Sequence, residues 1–388
     1  MLSIGFLTIE SPYDRNSFSG TIHYMFRALC EQPDVEVSLV AEQVHRRRPV
    51  AARLLGKLQS KQLPSFGLLD TLADKVEQQH LRALRRHLYR ERSRYDVLVA
   101  PVASDLIGTI RNGDELPPII FVTDATHGFL REEYKWPLTE DHRRNEVATV
   151  KNASAVVYSS QYMADRAKME FDGCGDGRRG KFDFIPFGLN MDVVEGAAAK
   201  HIDNHLRILF VGKDWHRKGG DTALEVARQL RSAGVDLTLT IVGANPVEAR
   251  NIDWVRVYPF LDKNDASEQR QYYDLLKESH FLLLPTRADC TPMVIAEANA
   301  FGTPAVTSAV GGIPSLITDG VNGCMLDVAA VPQKYADVIR HYWHSQALYE
   351  RLSVSSRRTY EEKLTWGAWA RGMVARAQLL VGEALAEE

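Results

Sequence analysis

Cysteine is scarce in this chain of 388 residues: Cys30, Cys174, Cys290 and Cys324 stand far apart, with no Cys-x-x-Cys pair. That spacing offers neither a zinc ligand set nor a disulfide framework, and it reads as reduced thiols in a cytoplasmic protein. Long apolar runs are missing too. None reaches about 18 residues, so no segment is expected to span a membrane. The N-terminus enters a strand-like run, Met1-Leu2-Ser3-Ile4-Gly5, without a basic segment, so no signal peptide is expected. The net charge is -3, which gives no global case for nucleic-acid binding. There is no Asp-x-Asp to hold a bridging cation. No Gly-x-Gly-x-x-Gly opens a helix after an expected strand, which disfavours a dehydrogenase. One local excess stands out. Residues 45–94 hold 13 Lys+Arg against four acids, a window of +9. A solvated helix face is the commonplace meaning of such a window; a surface for anionic lipid or an anionic acceptor is the sharper one.

What is present is a soluble globular composition, 45% hydrophobic and 25% charged, in a chain too long for one ordinary core. Short apolar strands alternate with helix-length segments. Strands are expected at 4–9, 35–40, 95–100, 119–123, 155–158 and 184–186, with a helix at 21–30. Around Met191 to His205 the chain turns Ala-rich and then polar, and the pattern restarts. Strands follow at 206–211, 237–242, 254–257, 281–284 and 305–307, with helices at 219–233, 292–301 and 366–385. This predicts an α/β protein of two doubly wound, Rossmann-like domains, 1–192 and 193–366, facing across a cleft, with a C-terminal helix of about 367–388 packed back on the first. Ligands in such sheets bind at the carboxyl ends of strands.

Two stretches carry chemistry. In Arg287 to Pro304, Thr291 is a suitable N-cap and Pro292 suits the first helical position. Gly302 and Pro304 end the helix. Its free amides, Met293 and Val294 among them, favour an anion by about 0.3–1 kcal/mol through the helix dipole. Asp289 lies in the loop beside that end and Glu297 inside an apolar run beyond it. Two acids beside a phosphate-friendly helix end fit a sugar nucleotide, one on sugar hydroxyls and one on ribose hydroxyls; a structural ion pair and an extra cap are the plain alternatives. The second stretch, Leu206 to Gly220, is a strand, a tight turn and a basic loop. Lys213 and Lys218 can converge on a diphosphate there, and Gly219 and Gly220 allow close backbone approach.

With these residues in place, the chain resembles the family 4 (group 1) retaining glycosyltransferases of the GT-B fold. Gly212-Lys213-x4-Lys218-Gly219 is similar to that family's G-R-x4-K-G segment, and Asp289 and Glu297 occupy its E-x7-E positions. Ala309 to Pro314 resembles its double-glycine stretch, Phe184 to Asn190 its I-P-N-G-V-D strand end, and Ser19-Gly20-Thr21 stands where it has a glycine-rich loop. The likeness covers most of the chain and is strongest from Leu206 to Gly323. There are departures. Asp289 is one methylene short of Glu, Lys213 replaces a bidentate Arg with a point charge, Cys290-Thr291-Pro292 replaces a glycine-aromatic-glycine turn, and Ser315 stands where a Glu is usual.

The resemblance implies a metal-independent enzyme that moves a sugar from a nucleotide diphosphate sugar, UDP-sugar favoured and GDP-sugar possible, to a glycan, lipid-linked or other hydroxyl acceptor, as in polysaccharide or lipopolysaccharide synthesis. Lys213 and Lys218 would hold the diphosphate, with Cys290, Thr291, Pro292, Met293 and Val294 lining the donor. Glu297 would take ribose and Asp289 the sugar. Gly20 would allow close approach, and Phe260 and Leu261 would receive the base. The family's histidine near the anomeric carbon maps onto His127 by residue type and onto Asp124 by strand end. Phe129, Tyr134 and Trp136 would line an acceptor pocket or simply pack. A nucleotide-sugar-binding partner subunit without turnover, and a sugar-nucleotide epimerase of similar fold, are the alternatives. Such an enzyme would be cytoplasmic, peripheral at the inner face of the membrane through residues 45–94.

Overall fold

The structure, a computed structural model, describes residues 1–15, 17–46, 67–110, 115–173, 180–192, 200–262 and 265–387. Cys174, residues 47–66 of the basic window and residues 193–199 of the expected linker lie outside these. The first unit contains β1 (Leu2–Phe6), α1 (Thr21–Cys30), β2 (Val35–Leu39), α2 (Glu42–Arg46), α3 (Gly67–Glu91), β3 (Val97–Pro101), α4 (Ser104–Ile107), β4 (Ile119–Thr123), α5 (His127–Glu133), α6 (Glu140–Asn152), β5 (Ala155–Tyr158), α7 (Gln161–Glu170) and β6 (Phe182–Phe184). The second contains β7 (Leu206–Val211), α8 (Gly220–Ser232), β8 (Leu237–Val242), β9 (Val255–Tyr258), α9 (Ala266–Glu278), β10 (Phe281–Leu284), α10 (Met293–Ala300), β11 (Ala305–Ser308), β12 (Gly323–Leu326), α11 (Pro332–Trp343) and α12 (Gln346–Lys363). The chain ends in α13 (Trp366–Glu387).

Each unit is a six-stranded parallel sheet, ordered β2-β1-β3-β4-β5-β6 and β12-β11-β10-β7-β8-β9. Strands buried on both faces need apolar residues at every position, and this is why Phe281-Leu282-Leu283-Leu284 shows no alternation. The first sheet divides its side chains by the two-residue period of a strand. Leu98, Phe121 and Val156 enter one core, while Val97, Ile120 and Val157 enter the other. That second core is closed by α1 and by α13, whose Trp366, Trp369 and Met373 join Ile4, Phe6 and Met25. The C-terminal helix is thus packed on the first sheet. Gly188 is required for its docking, since a Cβ there would fall 2.2 Å from the Trp366 nitrogen. Asn190 ties the junction, accepting from the Trp366 indole at 3.1 Å and donating to Thr21 at 2.8 Å.

Two expectations shift. The strand expected at residues 4–9 ends at Phe6, and β12 has no counterpart in the sequence reading, because Gly-Cys-Met-Leu is short and lacks β-branched residues. In each sheet the chain order reverses at one place, between β1 and β3 and between β7 and β10. Loops leaving neighbouring strands diverge there and open a crevice. The loop after β7 carries Lys213 and Lys218, and the loop after β10 carries Asp289, so sheet order brings the two motif segments together.

Candidate functional site

Lys218 and Asp289 form an ion pair through Nζ and Oδ2, with side-chain exposures of 14% and 4%. A pair this dry is far less screened than a surface bridge. The Asp289 loop is clamped from below by the double glycine. Gly312 N–H donates to the Asp289 carbonyl at 3.0 Å. Gly311 has φ +55, and a Cβ on it would lie 1.9 Å from that carbonyl oxygen; one on Gly312 would lie 1.7 Å from the Cys290 carbonyl oxygen. The glycines therefore serve backbone-on-backbone packing. Gly312→Ala should displace the loop, cost about 1–3 kcal/mol of stability and lower activity at least about 100-fold through misplacement alone. Chemical denaturation and turnover measured together would show it; unchanged turnover would remove the clamp.

The first unit meets this loop directly. Tyr134, just past the end of α5, donates from its hydroxyl to Asp289 Oδ1 at 3.3 Å and accepts from the Cys290 N–H at 3.2 Å. Cys290 Sγ lies 3.5 Å from Asp124 Oδ2. Burial pushes the Asp124 carboxyl above the usual carboxylate range, and the Asp289 charge adds to this. Burial, then the charges of Asp124 and Asp289, raises the Cys290 thiol well above its ordinary value. The Thr291 hydroxyl bonds to Ser159, and Ser315 Oγ accepts from the Gln161 N–H at 3.0 Å. Cys290, Thr291 and Ser315, all departures from the family pattern, thus lie at the seam between the units.

Glu297 sits on α10, a helix buried from Val294 to Ala300 and therefore apolar on every side. Its carboxylate accepts from the Tyr272 hydroxyl, on α9. That bond answers the expense of an acid in an apolar run, and burial followed by the Glu297 charge keeps the phenol protonated far above its usual range. Gly20 starts α1 with φ +88, a conformation suited to glycine. Lys213 is exposed, its Nζ 5.2 Å from the centroid of the Phe260 ring, itself 58% exposed; Leu261 packs on the core of the second unit. Met293 packs against the first unit's core and Val294 within the second, leaving their amides at the helix start.

Three expectations are corrected, and one open choice meets the geometry. Helix α10 begins at Met293 with Pro292 in the cap position and no side-chain cap. The Thr291 hydroxyl is taken by Ser159 and by the Cys290 carbonyl, so it does not cap. Gly219 and Gly220 are required by the protein's own packing; Cβ atoms there would strike the Pro285 carbonyl oxygen at 1.9 Å and the Trp215 ring at 2.0 Å. Of the two candidates for the anomeric position, the structure brings Asp124 to Cys290 and the Asp289 loop and does not bring His127. As the first residue of α5, His127 points into its own unit, with Nδ1 3.1 Å from the His142 carbonyl. It lines a cavity of about 580 Å³ with Glu132, Arg143, Tyr162, Arg166 and Glu170.

Beside His127, Glu146 is buried, accepts the His127 N–H at 2.8 Å, and is pushed up by burial to about 7. A carboxyl raised in the folded state stabilises fully below its unfolded value of 4.5 and loses that contribution as pH rises through about 7. The loss is about 3 kcal/mol at 1.36 kcal/mol per unit. His127, lowered by burial, acts oppositely, losing stability on acidification below 6.5. Glu146→Gln should therefore raise stability at pH 8 by about 1–3 kcal/mol and have little effect at pH 5. Urea unfolding at both pH values checks the sign, and a variant weaker at both would refute it.

Tyr134, Ser159 and Tyr272 were not assigned donor roles from sequence. Tyr134 had a signal, an aromatic pair just past a helix end; Tyr272 had none, lying 25 residues from its partner. Among the described residues no group of three or more His, Cys, Asp or Glu is arranged to hold a metal ion, and no helix is long and apolar enough to cross a membrane.

Two parallel, six-stranded Rossmann-like sheets, with the Lys–Asp pair at their crevice, make up an architecture of GT-B type. Residues 205–345 match the family Glycosyl transferases group 1. The chain is 29% identical over 151 residues to D-inositol 3-phosphate glycosyltransferase 1 of Catenulispora acidiphila, a match spanning 34% of each chain. The fold is that of sucrose-phosphate synthase from Thermosynechococcus elongatus, with a TM-score of 0.63 at 15% identity over 99% of this chain and 100% of that one. It is also that of Anabaena HepE in complex with UDP and glucose, with a TM-score of 0.58 at 16% identity over the whole of both.

Proposed function

We propose that this protein is a retaining glycosyltransferase that moves a sugar from a nucleotide diphosphate sugar, UDP-sugar first and GDP-sugar second, to a hydroxyl of a glycan or lipid-linked acceptor. The observation that carries this reading is the buried Lys218–Asp289 pair at the β7/β10 crevice, inside the matched stretch and against the first unit. Lys218 moves from Asp289 toward the diphosphate when donor enters. Lys213 and the Met293 and Val294 amides share the leaving charge, and no bound metal is needed in this reading. Asp289 reads sugar hydroxyls, and Glu297 reads ribose while keeping its bond to Tyr272. The acceptor hydroxyl attacks from the face that the diphosphate leaves, and a departing phosphate oxygen takes its proton. The chain's share of the work is positioning and charge stabilisation, with Asp124 rather than His127 facing the sugar.

A cytoplasmic site at an anionic membrane suits a lipid-linked acceptor. Arg82, Arg86, Arg90, Arg92 and Arg94 lie exposed on or just after α3, whose Leu84 and Leu88 are buried. The test is release of free nucleotide from UDP-, GDP- and ADP-sugars, with and without extracted glycan acceptors, and with sedimentation on anionic vesicles at low and high salt. Tight nucleotide binding without release of sugar from any donor would favour a non-catalytic partner subunit instead.

A further inference from the structure

Both oxygens of Asp289 are occupied, one by Lys218 from its own unit and one by Tyr134 from the other. Tyr134 is held in place by more than this contact. The Arg217 guanidinium lies 4.2 Å from its ring centroid and donates to the Ala288 carbonyl at 2.8 Å, clasping the ring to the loop that carries Asp289. Phe129 packs against the Tyr134 ring edge-on, with ring centroids 5.4 Å apart. The backbone is turned for the purpose. Lys135 has φ +56, the left-handed region, and the Tyr134 and Trp136 N–H groups both return to the Leu130 carbonyl, at 3.1 and 3.2 Å. A lysine rather than a glycine in that conformation costs about 1 kcal/mol or more, so the turn is held against strain.

The direction of the phenol proton follows from its neighbours. The Cys290 N–H donates to the Tyr134 oxygen, and the O–H has two neighbours at 3.3 Å, Asp289 Oδ1 and Cys290 Sγ, of which the carboxylate is the stronger acceptor. At 3.3 Å that bond is long for O–H···O. A hydroxyl that accepted from the phenol and donated to the carboxylate would replace one long hydrogen bond by two of ordinary length.

We propose that Tyr134 is a specificity-determining residue: its phenol and the Asp289 carboxylate form one composite reader of a donor-sugar hydroxyl, assembled only when the two units meet. This rests on Asp289 being the sugar reader of the proposed function. The substrate class is a nucleotide sugar with a free hydroxyl at the carbon facing Asp289; its deoxy analogue leaves both groups without their ligand partner and is rejected. A longer acid at 289 reaches into the 3.3 Å span to the phenol and takes the place of that sugar hydroxyl.

The test uses Tyr134→Phe, which keeps the ring under Arg217, and calorimetry with UDP-glucose and UDP, and with GDP-mannose and GDP. The variant should bind its nucleotide sugar about 10-fold more weakly, with the bare nucleotide held within about twofold. In a second cycle, Asp289→Glu should impair sugar binding more in the wild-type background than with Tyr134→Ala, a coupling of about fivefold or more. Equal loss for sugar and bare nucleotide, or no coupling, overturns the role of Tyr134 and leaves the enzyme reading standing. If the wild-type protein binds none of the four nucleotides, the donor-site reading falls, and this proposal falls with it.

Discussion

Replacing Lys218 by alanine will lower sugar transfer by about 10²–10³-fold, the range seen when one fixed charge-stabilising donor is lost. The protein will remain folded. Lys218 is the charged partner of Asp289 in a nearly dry pair, so the substitution strands a carboxylate that is 3% exposed. Breaking such a pair costs about 3 kcal/mol or more. Tyr134 still donates to Asp289, and each unit keeps its own core, so native thermal unfolding is shifted rather than lost. Lys218→Arg should recover part of the activity by restoring charge. Lys213→Ala, by contrast, removes an exposed cation over Phe260 and should cost about 10-fold. Nucleotide release under saturating donor separates these cases, and near-normal turnover of Lys218→Ala would remove the diphosphate role.

Glu297→Ala should weaken nucleotide affinity by about 10–100-fold, the worth of charge-assisted hydrogen bonds to a ribose. It should also destabilise the second unit, because the Tyr272 hydroxyl loses the carboxylate it donates to inside the core. Glu297→Gln separates the two effects. An amide oxygen still accepts from Tyr272 and restores stability, while the lost charge leaves nucleotide affinity low. Calorimetry with UDP and GDP reads the first effect and urea unfolding the second. Unchanged affinity in the alanine variant would make Glu297 a structural carboxylate alone.

Much of this site is local in sequence and was readable there. Leu206 to Gly220 and Phe281 to Gly302 each run from a strand through a loop into a helix. Their spacing alone put Lys218 and Asp289 at strand ends, and the parallel pattern implied that such ends share a crevice. The turn chemistry was harder to read. Thr291 has the composition of an N-cap, but its hydroxyl is claimed by Ser159, 132 residues away. Gly219 and Gly220 look like ligand-facing glycines, yet they admit Pro285 and Trp215. A glycine says that something approaches closely, and only packing says what.

The two-sheet architecture, the two basic residues after β7 and the two acids around α10 follow from periodicity and short-range spacing, because strand, loop and helix start are made within a few residues. The partners of those acids follow from nothing local. Tyr272 reaches Glu297 because α9 packs beside α10. Asp124 and Tyr134, and not His127, meet the Asp289 loop because α5 turns its first residue toward its own unit and the strained turn at Lys135 presents Tyr134, just past the helix end, across the cleft. The contacts of Asp124 and Tyr134 join residues more than 150 positions apart, and their geometry exists only once two separately folded sheets are set against each other.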